Sequence, residues 1–179
     1  MTYLPNDIEF MPSKKMIFAR LGVRYKNVDQ YFNKKVNDIY VEGMKYSKPK
    51  VWWKIFDRVP ESIMPEEFSG VKKIVVFVST LGKHIDVRID KYMKNNEILN
   101  GTILDAWASE ALEALNESFD IRLRHMFGEG TRRFSPGYGN VDIRENKTVI
   151  RLMKIESIKV FESGVMIPRK TTTCMIGWW

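Results

Sequence analysis

The segment 131–140, with the sequence TRRFSPGYGN, combines residue types that form ligand-binding turns. Pro136 fixes its own φ and removes one backbone donor, while Gly137 and Gly139 permit positive φ and close approach of the main chain to a neighbour. These residues predict a sharp turn that leaves backbone N–H and C=O groups exposed. Such groups can hydrogen-bond the polar edges of a small molecule.

Side chains beside this turn extend its possible chemistry. Arg132 or Arg133 would offer a planar guanidinium to a carboxylate, and Tyr138 would offer a flat wall. The pattern therefore predicts a site for a small ligand that carries a carboxylate. An ordinary surface loop with a Pro-Gly turn has the same signature, so the sequence leaves that alternative open.

A long predicted helix carries negatively charged residues, opposite in charge to the arginines beside the turn. The helical pattern covers residues 102–124, where Thr102 and Asp105 resemble a capping box. One side carries the residues that would pack on a sheet, namely Leu104, Trp107, Ala108, Ala111, Leu115, Phe119 and Arg122. The other side is acidic and carries Asp105, Glu110, Glu113, Glu117 and Asp120. This acidic face is either solvated or lines a cleft for a cationic ligand or partner.

Apolar periodicity predicts the remaining elements. Helices are predicted at 13–21, 28–46, 85–95 and 146–153, and strands at 51–56, 73–78, 155–161 and 171–176. The run 73–78 is apolar at consecutive positions, which predicts a central strand covered on both faces. No Gly-x-Gly-x-x-Gly motif follows it, so a dinucleotide-binding Rossmann unit has little support. We therefore predict a single α+β domain over residues 1–179, in which helices flank a mixed or antiparallel central sheet.

Composition narrows the functional classes. The net charge is +7, but lysine and arginine are dispersed without a dense basic block, which favours a solvated surface or attraction to an acidic protein over nucleic-acid binding. The single cysteine, Cys174, excludes an internal disulfide and lies among apolar residues, so we expect it to be buried. His84 and His125 are too far apart in sequence to suggest a zinc site. We expect a cytoplasmic protein, because the sequence shows neither a signal peptide nor a membrane-spanning stretch.

Four segments, taken in order, resemble the activation domain of cobalamin-dependent methionine synthase. They are residues 76–82 (VFVSTLG), 104–113 (LDAWASEALE), 133–139 (RFSPGYG) and 166–171 (MIPRKT). The combination of Arg-x-x-x-Gly-Tyr with the later Met-x-Pro-x-Lys segment is the most specific part. The resemblance covers most of the chain from residue 20 onward.

The resemblance implies that the domain binds S-adenosylmethionine and docks over a cobalamin-carrying protein during repair. In that family, oxidised cobalamin is reduced by one electron, typically from a flavodoxin, and is then methylated by S-adenosylmethionine. Cobalamin would be held by the partner, which is a cobalamin-binding methionine synthase or another corrinoid protein. This chain would act on that partner in trans as a reactivation subunit.

By position, the resemblance implies an S-adenosylmethionine site made of Glu113, Arg133, Ser135, Pro136, Gly137 and Tyr138. Arg133 would hold the methionyl carboxylate, and the backbone from 135 to 138 would bind ligand edges. Glu113 would lie near the positive sulfonium and ammonium groups. Tyr138 would also border the corrin face. No catalytic side chain and no metal ligand is predicted, because the cofactors supply the chemistry.

Two hypotheses from another class stay open. One is a chaperone for a corrinoid protein without methyl chemistry, and the other is a basic RNA-binding module. Binding of RNA through its phosphates would weaken steeply as salt rises. A chaperone would bind its corrinoid partner without being stabilised by S-adenosylmethionine.

Overall fold

An antiparallel sheet organises the computed structural model, which describes residues 1–179 with every side chain except that of Asn27. Its strands lie in the order β1 (Thr2–Tyr3), β2 (Lys50–Phe56), β3 (Lys73–Thr80) and β6 (Thr171–Trp178). A separate antiparallel pair is formed by β4 (Lys159–Val160) and β5 (Met166–Ile167). The predicted α+β class is confirmed, and the sheet is antiparallel rather than mixed.

The helices of the described chain divide between the two faces of this sheet. They are α1 (Lys14–Arg20), α2 (Gln30–Tyr46), α3 (Lys83–Lys94), α4 (Ile98–Phe127) and α5 (Asn146–Met153). Helix α4 covers one face, and α1, α2 and α3 pack around it. Helix α5 covers the other face. The sheet therefore separates two apolar cores.

Strand β3 lies inside the sheet and, as predicted, its side chains from Ile74 to Thr80 are buried on both faces. It pairs with β2 over residues 74–80 on one edge and with β6 over its whole length on the other. Val75 and Phe77 belong to the core under α4, while Ile74, Val76 and Val78 belong to the core under α5. Each fully buried side chain of this kind contributes roughly 1.5–3 kcal/mol. A strand that contributes to both cores fixes their relative position.

The predicted apolar stripe of α4 is confirmed over most of its length. Six of its seven predicted residues have 1% exposure or less, namely Leu104, Trp107, Ala108, Ala111, Leu115 and Phe119. Arg122 is exposed instead, and Leu123 is the buried residue at that end. The stripe binds the helix to β3 and β6.

Two local predictions are wrong. The capping box at Thr102 does not form, because α4 already begins at Ile98 and the Thr102 hydroxyl donates to the Ile98 carbonyl at 2.9 Å within the helix. The strand predicted at 155–161 is reduced to the two residues of β4. Ile155 and Ile158 are apolar because they are buried in the core under α5, not because they alternate along a strand.

No helix among the described residues has an apolar stretch long enough to cross a membrane.

Helices α2 and α4 approach closely at Gly43, where a Cβ would lie 2.4 Å from the Trp107 indole. We predict that Gly43→Ala lowers the free energy of unfolding by about 1–3 kcal/mol, because overpacking outweighs the gain in helix propensity. Urea unfolding monitored by circular dichroism measures this difference. The control Val41→Ala changes an exposed residue of the same helix and should have an effect within about 0.5 kcal/mol. Equal stability of the two variants would contradict the close packing.

Candidate functional site

The segment 131–134 is fixed along the outer edge of β6. Phe134 and Met175 exchange backbone hydrogen bonds of 2.9 and 2.8 Å. The Thr131 N–H donates to the Gly177 carbonyl at 2.9 Å, and the Gly177 N–H donates to the Thr131 hydroxyl at 2.9 Å. These bonds set the starting position and direction of the loop that follows.

The predicted sharp turn forms immediately after this segment. Gly137 and Gly139 have φ values of 97° and 52°, which favour glycine. The Gly137 N–H donates to the Val141 carbonyl at 2.8 Å and closes the loop. Asn140 anchors it, because its side chain accepts from the Glu66 N–H at 3.1 Å and donates to the Met64 carbonyl at 3.0 Å. The turn is therefore held in place at both ends.

A cavity of about 850 Å³ opens beside this turn, between α4, the first residues of β6 and the segment that precedes β6. Of the residues assigned to the ligand site from the sequence, five line it: Glu113, Arg133, Ser135, Pro136 and Tyr138. Gly137 does not line it. Gly137 borders a separate depression of about 480 Å³, together with Gly139. The turn thus separates two concave surfaces, and most of the predicted set faces the larger one.

Arg133 and Glu113 form an ion pair at this cavity. The Arg133 Nη2 donates to Glu113 Oε1, and Nη1 lies 3.7 Å from Glu117 Oε2. Nη1 is buried without a hydrogen-bond partner among the described residues. The Arg133 side chain is 18% exposed, whereas that of Glu113 is 56% exposed. The guanidinium is therefore held in place but keeps unused donor capacity.

The acidic face of α4 is only partly solvated, because the side chains of Asp105, Glu113 and Glu117 are 50%, 56% and 64% exposed. Each of its five carboxylates lies within ion-pair distance of a basic side chain, and Glu110 and Asp120 are only 8% exposed. Glu110 pairs with Arg20 at 2.5 Å, and Asp120 pairs with Arg124 at 2.8 Å. Of the five, only Glu113 lines the cavity. Part of the acidic face thus reaches a cleft, while Glu110 and Asp105 bind neighbouring segments and Asp120 pairs within α4.

The segment before β6 forms another wall and is anchored by charge. The Arg169 N–H donates to Asp86 Oδ2 at 2.6 Å, and its guanidinium donates to Asp90 at 2.7 Å. Lys170 donates to Ser109 at 2.8 Å and pairs with Asp105 at 2.9 Å. These contacts tie the segment to α3 and α4.

Several polar residues of the cavity were not predicted from the sequence. Asn116 is 1% exposed, and its Oδ1 accepts a hydrogen bond from the Ser79 hydroxyl. The Thr173 hydroxyl donates to Asn146 Oδ1 at 2.6 Å, and the Asn146 amide donates to the Gly164 carbonyl at 3.0 Å. The sequence contains one indication for Asn116, because it follows the predicted core residue Leu115 and lies about one helical turn after Glu113. The Thr173 and Asn146 pairing had none, because it spans 27 residues.

Cys174 lies under the cavity and is 1% exposed, as expected. Its sulfur is 3.5 Å from the Ser135 hydroxyl. Burial raises the pKa of this thiol to about 12. Burial thus disfavours the thiolate and argues against a nucleophilic role for Cys174.

This burial predicts that iodoacetamide alkylates Cys174 at pH 8 far more slowly in the native protein than in urea. Mass spectrometry after timed quenching measures both rates. Because the thiol ionises more easily in the unfolded chain, the free energy of unfolding should fall as pH rises above about 9. Similar alkylation rates with and without urea would contradict the burial of Cys174.

Comparison with known proteins identifies the fold. No family model and no curated protein sequence matches the chain. Among solved structures, the chain is similar to the crystal structure of the MetH reactivation domain bound to AdoHcy. The TM-score is 0.75 at 16% sequence identity, and the match covers 99% of this chain and 77% of that one. The resemblance seen in the sequence is thus confirmed as a shared fold, that of the methionine synthase reactivation domain.

Proposed function

We propose that the chain binds S-adenosylmethionine in the 850 Å³ cavity and serves as a reactivation subunit for a cobalamin-dependent methionine synthase. The main support is the convergence of five sequence-assigned residues on one cavity, in a fold shared with a domain that was crystallised with AdoHcy. The volume suits a ligand of this size, since small-molecule sites commonly occupy about 300–1,000 Å³.

The charges of the cavity fit those of the ligand. S-adenosylmethionine carries a carboxylate, an ammonium and a sulfonium group. The guanidinium of Arg133, which lines the cavity and is 18% exposed, would serve the carboxylate, and Glu113 is the acidic lining residue beside it. On binding, Glu113 would exchange part of its contact with Arg133 for the cationic groups. The ligand would thereby join an existing ion pair without leaving a buried charge alone.

The rim of the cavity fits contact with a flat apolar surface. Tyr138, Ile143 and Val165 line the cavity and are 70%, 49% and 52% exposed. Apolar side chains exposed together around a polar pocket are typical of interaction surfaces. In our proposal Tyr138 borders the corrin of a cobalamin held by the partner, and the methyl group points outward between them, because methyl transfer requires close in-line approach.

The chain contributes placement to this reaction. When both are bound, S-adenosylmethionine would supply a methyl group for the partner's reduced cobalamin and would remain as S-adenosylhomocysteine. Arg133 and Glu113 orient the methyl donor, and the turn after Phe134 borders it. The proposal also includes the partner, which is a cobalamin-binding methionine synthase or another corrinoid protein. It further includes a flavodoxin as the reductant and a cytoplasmic location.

The ligand assignment predicts that Arg133→Ala weakens binding of S-adenosylhomocysteine by about 10- to 100-fold, since hydrogen bonds to charged groups contribute about 1.5–3 kcal/mol. Isothermal titration calorimetry measures the affinity. The control Arg122→Ala removes an arginine that also pairs with a glutamate, Glu9, but lies outside the cavity lining. It should bind like the wild type. Unchanged affinity of Arg133→Ala would remove Arg133 from the site.

The reactivation role is tested with a separate corrinoid protein in its oxidised, inactive form. With a reductant and S-adenosylmethionine carrying a labelled methyl group, addition of the chain should transfer the label to that protein's cobalamin. Arg133→Ala should transfer it more slowly than Arg122→Ala. Binding of the corrinoid protein without ligand binding or transfer would favour the chaperone hypothesis. Salt-sensitive binding of RNA in place of both would favour the nucleic-acid hypothesis.

A further inference from the structure

The outer edge of β6 has backbone groups without partners at the wall of the cavity. In an antiparallel sheet, alternate residues direct their N–H and C=O to opposite neighbours. Met175 and Gly177 direct theirs away from β3 and bond the segment 131–134. Thr173 and Thr171 have the same orientation by the two-residue period of the strand. Their backbone N–H and C=O groups have no hydrogen-bond partner on that side among the described residues.

The cause of this gap lies in the sequence of the turn. Phe134 lies opposite Met175, so two further residues in the same register would bring Pro136 opposite Thr173. Pro136 has no N–H to donate, and the chain turns away at Gly137. The edge of β6 is therefore closed at Met175 and open at Thr173.

The open edge is buried instead of solvated. Thr173 and Thr171 are 2% and 7% exposed, and both line the cavity. Buried backbone groups without partners are rare in native proteins, and each costs about 1–3 kcal/mol. The open edge covers only these two positions, which is too short for an added peptide strand. A small ligand in the cavity can satisfy it.

We propose that the backbone of Thr173 recognises the adenine base of the bound ligand. The N–H and C=O of one extended residue point in the same direction and form a donor beside an acceptor. Adenine presents the complement, an amino group flanked by ring nitrogens that accept. The adenine N6 amino group donates to the Thr173 C=O, and a flanking ring nitrogen accepts from the Thr173 N–H. This inference rests on the proposed adenosyl ligand and adds the residue that selects its base.

The proposal makes base selection measurable in the wild-type protein. S-inosylhomocysteine has an oxygen in place of the N6 amino group, so it would direct an acceptor at the Thr173 C=O. We expect it to bind at least about tenfold more weakly than S-adenosylhomocysteine, because a buried acceptor is then left unpaired. Equal affinity of the two ligands in titration calorimetry would overturn the proposal.

A backbone substitution locates the contact at Thr173. Two variants are compared. The first is Thr173→Val, and the second has α-hydroxyisovaleric acid at position 173, so that an ester replaces the amide there. Both have the same side chain, and only Thr173→Val keeps the backbone N–H. Both lose the hydroxyl bond to Asn146, so each controls for that loss in the other. The Thr173 N–H points away from β3, so the ester removes no β3 ladder bond through that group. We expect the ester to bind S-adenosylhomocysteine about three- to tenfold more weakly than Thr173→Val.

Deaza ligands then complete a thermodynamic cycle. The Thr173→Val protein should bind either the 1-deaza or the 7-deaza analogue of S-adenosylhomocysteine more weakly than S-adenosylhomocysteine itself. Which analogue loses affinity depends on whether N1 or N7 of adenine accepts the hydrogen bond from the residue 173 N–H. That loss should disappear in the ester, because the donor is already absent. An equal deaza penalty in both proteins would overturn the assignment to Thr173 while leaving ligand binding intact. Absence of S-adenosylhomocysteine binding in the wild type would overturn both this inference and the proposed function. If the ester does not fold, the inosine comparison decides the proposal.

Discussion

The pairing of segment 131–134 with the outer edge of β6, and its end at Pro136, is the constraint on which the cavity depends. While the pairing lasts, it positions Arg133 between β6 and α4. Where it stops, the chain must leave the sheet, and the gap becomes part of the cavity wall. One proline thus ends a strand pairing and leaves polar backbone available, because it cannot donate the next hydrogen bond.

The charges of α4 hold the walls of this cavity together. The protein is basic, yet five carboxylates lie along one helix. Glu110 anchors α1 through Arg20, and Asp105 anchors the segment before β6 through Lys170. Glu113 differs from these two because it lines the cavity while it pairs with Arg133. The same helix face therefore stabilises the fold in some positions and presents a charge to a ligand in another.

The shared fold and the low sequence identity are compatible because different positions respond to different constraints. The fold depends on periodic burial along β3 and α4, and many apolar residues satisfy such a pattern. A ligand site depends on a few side chains and backbone groups at defined positions. For this reason the structural similarity at 16% identity identifies the fold only. The proposed function is argued from Arg133, Glu113 and the open edge of β6.

The sequence by itself determined the elements whose signal is local. The consecutive apolar run of β3, the stripe of α4 and the Pro-Gly turn all follow from residue periods or from the φ preferences of proline and glycine. The helix at 146–153 and the burial of Cys174 followed in the same way. The failed capping box at Thr102 shows the limit, because α4 begins four residues earlier, at Ile98, and a start signal inside a helix is not used.

Only the tertiary structure decided which distant residues meet. It paired Arg133 with Glu113, buried Glu110 and Asp120, and excluded Gly137 from the cavity that its neighbours line. It also left Thr173 without a backbone partner, which no property of a threonine-rich strand predicts. These facts depend on the register between β6 and segment 131–134, and register is set by the packing of both cores together rather than by any short stretch of residues.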